Sequence, residues 1–101
     1  MHLTPNNLFF LQTFLDTQLR ARKLPISAEV IDPRAPGVDQ SLIEVNFGST
    51  MRRREVISAE LFSALDISPE AFSSAVLRSV LVDFRNEAKR FVTLLDQALM
   101  D

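Results

Sequence analysis

The chain has 101 residues, and its 11 Lys and Arg against 13 Asp and Glu leave a net charge of −2, too balanced for a surface that generally coats nucleic acid. With 47% hydrophobic and 24% charged residues it has the composition of one globular domain rather than of a disordered segment. Cysteine is absent, which excludes disulfides, thiol catalysis and thiolate metal sites, and the single His and the lack of Trp and Tyr thin the catalytic repertoire further.

The first helix is expected over 5–23. Thr4 suits its N-cap and Pro5 its first position. Leu8, Leu11, Leu15 and Leu19 recur at helical spacing, with Phe10 and Phe14 beside them. Arg20, Arg22 and Lys23 complement the dipole of the last turn, and Pro25 disfavours helix at Leu24. Asn6, Asn7, Gln12, Thr13 and Asp16 interrupt this segment, and no basic stretch precedes it. It therefore does not read as a leader peptide, and a cytoplasmic location is the expectation. No apolar run approaches the roughly 18 residues of a membrane span.

Two strands follow, Ile26–Asp32 and Leu42–Phe47, each alternating apolar and polar residues. Between them, Pro33-Arg34-Ala35-Pro36-Gly37-Val38-Asp39-Gln40-Ser41 reads as a loop. Gly48-Ser49 fits a two-residue type II′ turn leading into a third strand, Met51–Ile57, although the start of a helix is an alternative there. In that register Arg52 and Arg54 fall on the face of Val45 and Ile43, and Arg53 stands opposite Glu44. Ser58 caps a short helix over 59–65. Ser68, Pro69 and Glu70 then open a helix that meets no Gly or Pro as far as Asp101.

This last helix carries Leu77, Leu81, Phe84, Ala88, Phe91, Leu95 and Ala98, alternating steps of four and three that make a heptad seam. Val80, Leu94, Val92 and Leu99 widen it. At 1.5 Å per residue a helix over 70–101 reaches roughly 48 Å, whereas a compact domain of this length is about 35 Å across. The rod outruns its domain, and each exposed Leu or Phe forgoes on the order of 1.5–3 kcal/mol of burial. A two-fold partner copy is the expected remedy, with the seam from Leu77 to Ala98 as dimer interface. The competing arrangement is a kink near Asn86 and a hairpin within one monomer.

Chemistry-bearing motifs are sparse. His2 lies beside the initiator Met, where no third group holds it as a base. Asp83 and Glu87 stand four apart on the long helix, with Arg90 three beyond as an ion-pair partner for Glu87. Gly37 and Gly48 lie in separate turns and make no phosphate loop. No metal-ligand spacing, cofactor motif or catalytic set is present in the sequence. Arg52, Arg53 and Arg54 form the one local charge run, and Arg outnumbers Lys nine to two. Residues 1–54 carry net +2 and residues 55–101 net −4, a polarity that could orient a partner. Phe9 points toward Gln12, Asp16 and Arg20, away from the Leu stripe, either as a partner anchor or covered by the chain itself.

The order helix, three strands, helix resembles the double-stranded RNA-binding domain. That family has a basic, Lys-rich helix start after its third strand, whereas this chain has Ser58-Ala59-Glu60-Leu61, which is acidic.

The sequence therefore predicts an α+β domain: N-terminal helix, antiparallel sheet of two or three strands, short helix and long C-terminal helix. The expected function is non-enzymatic protein binding by a homodimer, as a small adaptor, chaperone or inhibitor, with Arg52, Arg53, Arg54 and Phe9 as contact residues. Nucleic-acid binding through the arginine ridge is the first alternative. A small-ligand receptor or a carboxylate-based enzyme at the dimer seam is the second.

Overall fold

The computed structural model describes residues 3–31, 42–47 and 51–100. Helix α1 spans Pro5–Ala21, and the Thr4 hydroxyl accepts a hydrogen bond from the Asn7 N–H at 3.2 Å. Leu11, Leu15 and Leu19 are buried one turn apart, as their spacing demands. Leu3 is buried just before the cap, and Leu8 packs on the same core. These are the two positions that a hydrophobic staple joins. The helix ends sooner than 23. Lys23 adopts a left-handed φ of 53°. The Lys23 N–H then donates to the Arg20 carbonyl at 3.0 Å and the Leu24 N–H to the Leu19 carbonyl at 3.3 Å. This paired closure stops the helix before Pro25 is reached, at a position where glycine is the usual occupant.

Strands β1 (Ile26–Ile31), β2 (Leu42–Phe47) and β3 (Met51–Val56) form an antiparallel sheet in the order β1-β2-β3. Phe47 pairs with Met51, so three residues, 48–50, join β2 to β3 instead of the two of a Gly48-Ser49 turn. One extra residue in the connection exchanges the faces of the whole following strand. Arg53 therefore stands opposite Val45 and Glu55 opposite Ile43, while Arg54 stands opposite Glu44 and Arg52 opposite Asn46. The expected placement of Arg52 and Arg54 beside Val45 and Ile43 is corrected by this register, as is the Arg53–Glu44 pair. The 48–50 connection itself, the Pro-rich segment 33–41 and His2 lie outside the described residues.

One sheet face carries Ala28, Val30, Ile43 and Val45 into the core. The other carries Ser27, Glu29, Glu44, Asn46, Arg52 and Arg54. Helix α1 packs beside β1 and clasps its free edge through one side chain. The Gln12 amide nitrogen donates to the Ala28 carbonyl at 2.8 Å, and its oxygen accepts from the Val30 N–H at 2.8 Å. Those backbone groups would otherwise form an open template for another strand.

Helix α2 (Ala59–Phe62) is capped by Ser58, whose hydroxyl accepts from the Leu61 N–H at 3.2 Å. It tightens into a 3-10 turn, Ser63–Asp66, rather than running on to Leu65 as α-helix. Helix α3 (Pro69–Met100) is one unbroken rod of 32 residues, so the kinked hairpin does not occur. Phe72, Val76, Leu77 and Val80 bury its first half against α1, the sheet and α2, and the Phe72 ring lies 5.8 Å from that of Phe62. The longest dimension of the fold is 50 Å, close to the length of the rod itself. Its second half therefore projects beyond the domain body.

Candidate functional site: the β3–α3 notch and the free end of α3

Strand alternation splits the arginine run between two surfaces. Arg52 and Arg54 lie on the outer sheet face, with their Nε atoms 3.4 Å and 3.7 Å from Oε1 of Glu44. Glu44 is only 7% exposed there, covered by the long guanidinium side chains beside it. Arg53 lies on the helix-facing side, 2.8 Å from Glu55 and 3.0 Å from Glu87. The basic ridge read from Arg52, Arg53 and Arg54 is thus divided between the two faces of the sheet. Arg53 is matched by Glu55 and Glu87, and Arg52 and Arg54 share the one carboxylate of Glu44, which lowers the attraction left for phosphate.

Where β3 meets α3, a notch of about 400 Å³ opens between Arg52 and Arg53 on the strand and Phe84, Glu87, Arg90, Phe91 and Leu94 on the helix. Its apolar part is anchored by Phe84, whose ring packs 5.3 Å from that of Phe47 on β2. Its polar rim holds three arginines and one glutamate. Guanidinium groups above aromatic and aliphatic surface suit a carboxylate-bearing segment that also supplies an apolar side chain. Glu87 bonds Arg53 across this junction, which replaces the expected ion pair with Arg90 on the same helix.

Beside the notch lies a second carboxyl pair. Burial, and then the adjacent Asp83 carboxyl, raise Glu55 from 4.5 to about 7, and Arg53 opposes the shift. A carboxyl exchanging its proton near neutrality is suited to acid–base work. Neither Glu55 nor Asp83 borders the notch. The pair sits between β3 and α3, where it helps seat the helix. Sequence spacing pairs Asp83 with Glu87 alone, because the register that brings Glu55 to the helix side depends on the length of the preceding turn.

The heptad seam divides into two parts. Leu77 is buried and Leu81 and Phe84 pack on the chain's own core, so these three do not form the outward interface expected of them. Ala88 is half-buried, and every residue from Arg90 to Met100 is exposed. This free end carries Phe91, Val92, Leu94, Leu95, Leu99 and Met100, with exposures from 46% at Leu95 to 86% at Met100. Phe91, Leu95 and Ala98 of the seam are thus unpartnered.

Phe9 is 72% exposed, which removes the reading in which the chain covers it. It shares a shallow apolar groove with Phe10 and Phe14, bordered by Asn6, Thr13 and Thr17. A further groove of about 490 Å³ runs between α1 and α3, with Phe14, Leu77 and Leu81 among its lining and Arg22, Arg78 and Glu70 on its rim. Phe10 was legible only as part of the core stripe, yet it is 41% exposed.

Among the described residues no group of His, Asp and Glu could hold a metal ion. No helix among them is long and apolar enough to cross a membrane. No family of known proteins, no characterised protein and no solved structure matches the chain.

Proposed function

We propose that the chain is a non-enzymatic protein-binding module that acts as a homodimer. The free end of α3 joins the copies, and the notch of Arg52, Arg53 and Arg90 receives an acidic segment of another protein. The observation that carries this reading is the exposed end of α3, where Phe91, Val92, Leu94, Leu95 and Leu99 lie along one side of the helix. Scattered single apolar residues are normal on a surface, whereas a contiguous stripe of this kind marks an interface. Its exposed fractions correspond to roughly 500 Å² of apolar surface on each copy, so self-pairing would bury at most on the order of 1,000 Å², the minimum for a specific interface. The role is that of a small adaptor, chaperone or inhibitor: the dimer displays two notches, and binding acts by occlusion and charge.

Light scattering across a concentration series tests the assembly. The expected mass is twice that of the 11.4 kDa chain. The double variant Leu95→Asp, Leu99→Asp should return a folded monomer, judged by an unchanged far-ultraviolet spectrum. Charge reversal at Arg52 and Arg90 should weaken capture of an acidic partner from the native host while leaving the dimer intact, and equal capture by both proteins counts against the notch. Nucleic-acid binding through the same arginines lacks a continuous basic ridge, and a low-salt mobility shift would be needed to revive it.

A further inference from the structure

The geometry points to one direction of pairing: the free ends of α3 from two copies run antiparallel, with Ala88 beside the partner's Ala98 and Phe91 beside the partner's Leu95. This inference rests on the homodimer proposed above and adds its orientation and register.

The first argument is steric. The first half of α3 is occupied by its own domain, with Phe72, Val76, Leu77 and Val80 buried and Leu81 and Phe84 packed on the core. A parallel neighbour would run alongside the whole rod and meet α1 and the sheet at that half. An antiparallel neighbour overlaps only the end that is free. The second argument is the seam itself, which holds Ala88, Phe91, Leu95 and Ala98 in the free part. Reversed against itself about Thr93, it stacks Phe on Leu in two central layers and Ala on Ala in two outer ones. A shift of one heptad toward the body would require Leu81 and Phe84, which the monomer already uses.

The same register places Leu94 beside the partner's Leu94 and Val92 beside the partner's Val92, so the apolar flanks are covered together with the seam. Leu94 and Phe91 also line the notch. The partner's Leu94 and the partner's Ala98 then extend the apolar wall of the notch beside Phe91 and Leu94, opposite its arginine rim, and the binding site of each copy is complete only in the dimer.

The chain has no cysteine, so single thiols can be placed without background. Phe91→Cys and Leu95→Cys are made separately, both at side chains that are about half exposed, and oxidised alone and as an equal mixture. The mixture should form the mixed disulfide at least about tenfold faster than either protein alone forms its own, because only the mixed pair holds two thiols in contact. Faster self-cross-linking of each single variant indicates a parallel pair, which overturns the orientation and leaves the dimer standing. A dimer by light scattering that cross-links in no combination overturns the register. A monomeric mass at every concentration overturns the dimer itself.

Discussion

Nη1 of Arg53 on β3 lies 3.0 Å from Oε2 of Glu87 on α3, a bond that spans the junction between the sheet and the projecting helix. Both side chains are 40% exposed, so solvent screens the attraction. Arg53 has a second task, since it is the cation beside Glu55. A double-mutant cycle of Arg53→Met and Glu87→Gln should therefore give a coupling below about 1 kcal/mol. The single change Arg53→Met should cost more at pH 8 than at pH 5, because it leaves an ionised Glu55 facing Asp83 without a counter-charge. Urea melts at both pH values measure the two quantities, and an equal cost at both would separate Arg53 from the Glu55 pair.

Glu55 makes the pH dependence specific. Its carboxyl is raised from 4.5 to about 7 in the folded chain, so between those values the native state holds a proton that the unfolded state has released. Its contribution is fully favourable below about pH 4.5, falls as pH rises, and is lost above about 7. Glu55→Gln keeps the polar contact with Asp83 and cannot ionise. It should stabilise the fold at pH 8 by on the order of 1 kcal/mol and change little at pH 5. Chemical denaturation of both proteins across this range tests it, and a benefit that grows toward low pH would reverse the assigned sign.

The elements were legible because their chemistry is local. Thr4-Pro5, Ser58 and Ser68-Pro69 announce three helix starts, and all three hydroxyls accept the expected backbone N–H. The heptad spacing and the lack of Gly or Pro after Glu70 made the rod readable to its last turn. The faces of β3 were not legible, since period-two alternation leaves both assignments open until the turn length is known. One residue in that connection moved Glu55 to Asp83 and brought Arg53, instead of Arg52 and Arg54, to the helix side. The seam also concealed where the domain body stops. Leu77 and Leu95 occupy equivalent kinds of position in the repeat, but only the three-dimensional placement of α1 beside the first half of α3 buries the first and leaves the second exposed.

Gln12 reads in the sequence as a polar interruption of α1, yet it is the side chain that closes the edge of β1. It satisfies both the Ala28 carbonyl and the Val30 N–H. Gln12→Ala should cost about 1–3 kcal/mol, because it strands partly buried backbone groups rather than merely removing a contact. Gln12→Glu should be worse than its shape suggests, since a carboxylate cannot donate to the Ala28 carbonyl. Amide exchange at Val30 should accelerate in Gln12→Ala, which removes the acceptor of the Val30 N–H, and not in Gln12→Glu, whose carboxylate still accepts it. Protection in Gln12→Ala equal to that of the unaltered chain would show that the clasp contributes nothing in solution.

Phe72 and Phe91 place the same side chain on the same helix in opposite circumstances, 1% and 48% exposed. Phe72→Ala removes a core ring stacked near Phe62 and should cost about 3–5 kcal/mol at any protein concentration. Phe91→Ala should change the stability of a dilute monomer by less than about 0.5 kcal/mol, as a surface substitution does. At concentrations where two copies associate, the unaltered chain should gain a melting temperature that rises with concentration, and Phe91→Ala should flatten that rise. Melting curves over a hundredfold concentration range separate the two roles. If the unaltered chain melts at one temperature throughout, the end of α3 gains nothing from a second copy; if Phe91→Ala is as costly as Phe72→Ala in dilute solution, that end is packed on its own domain.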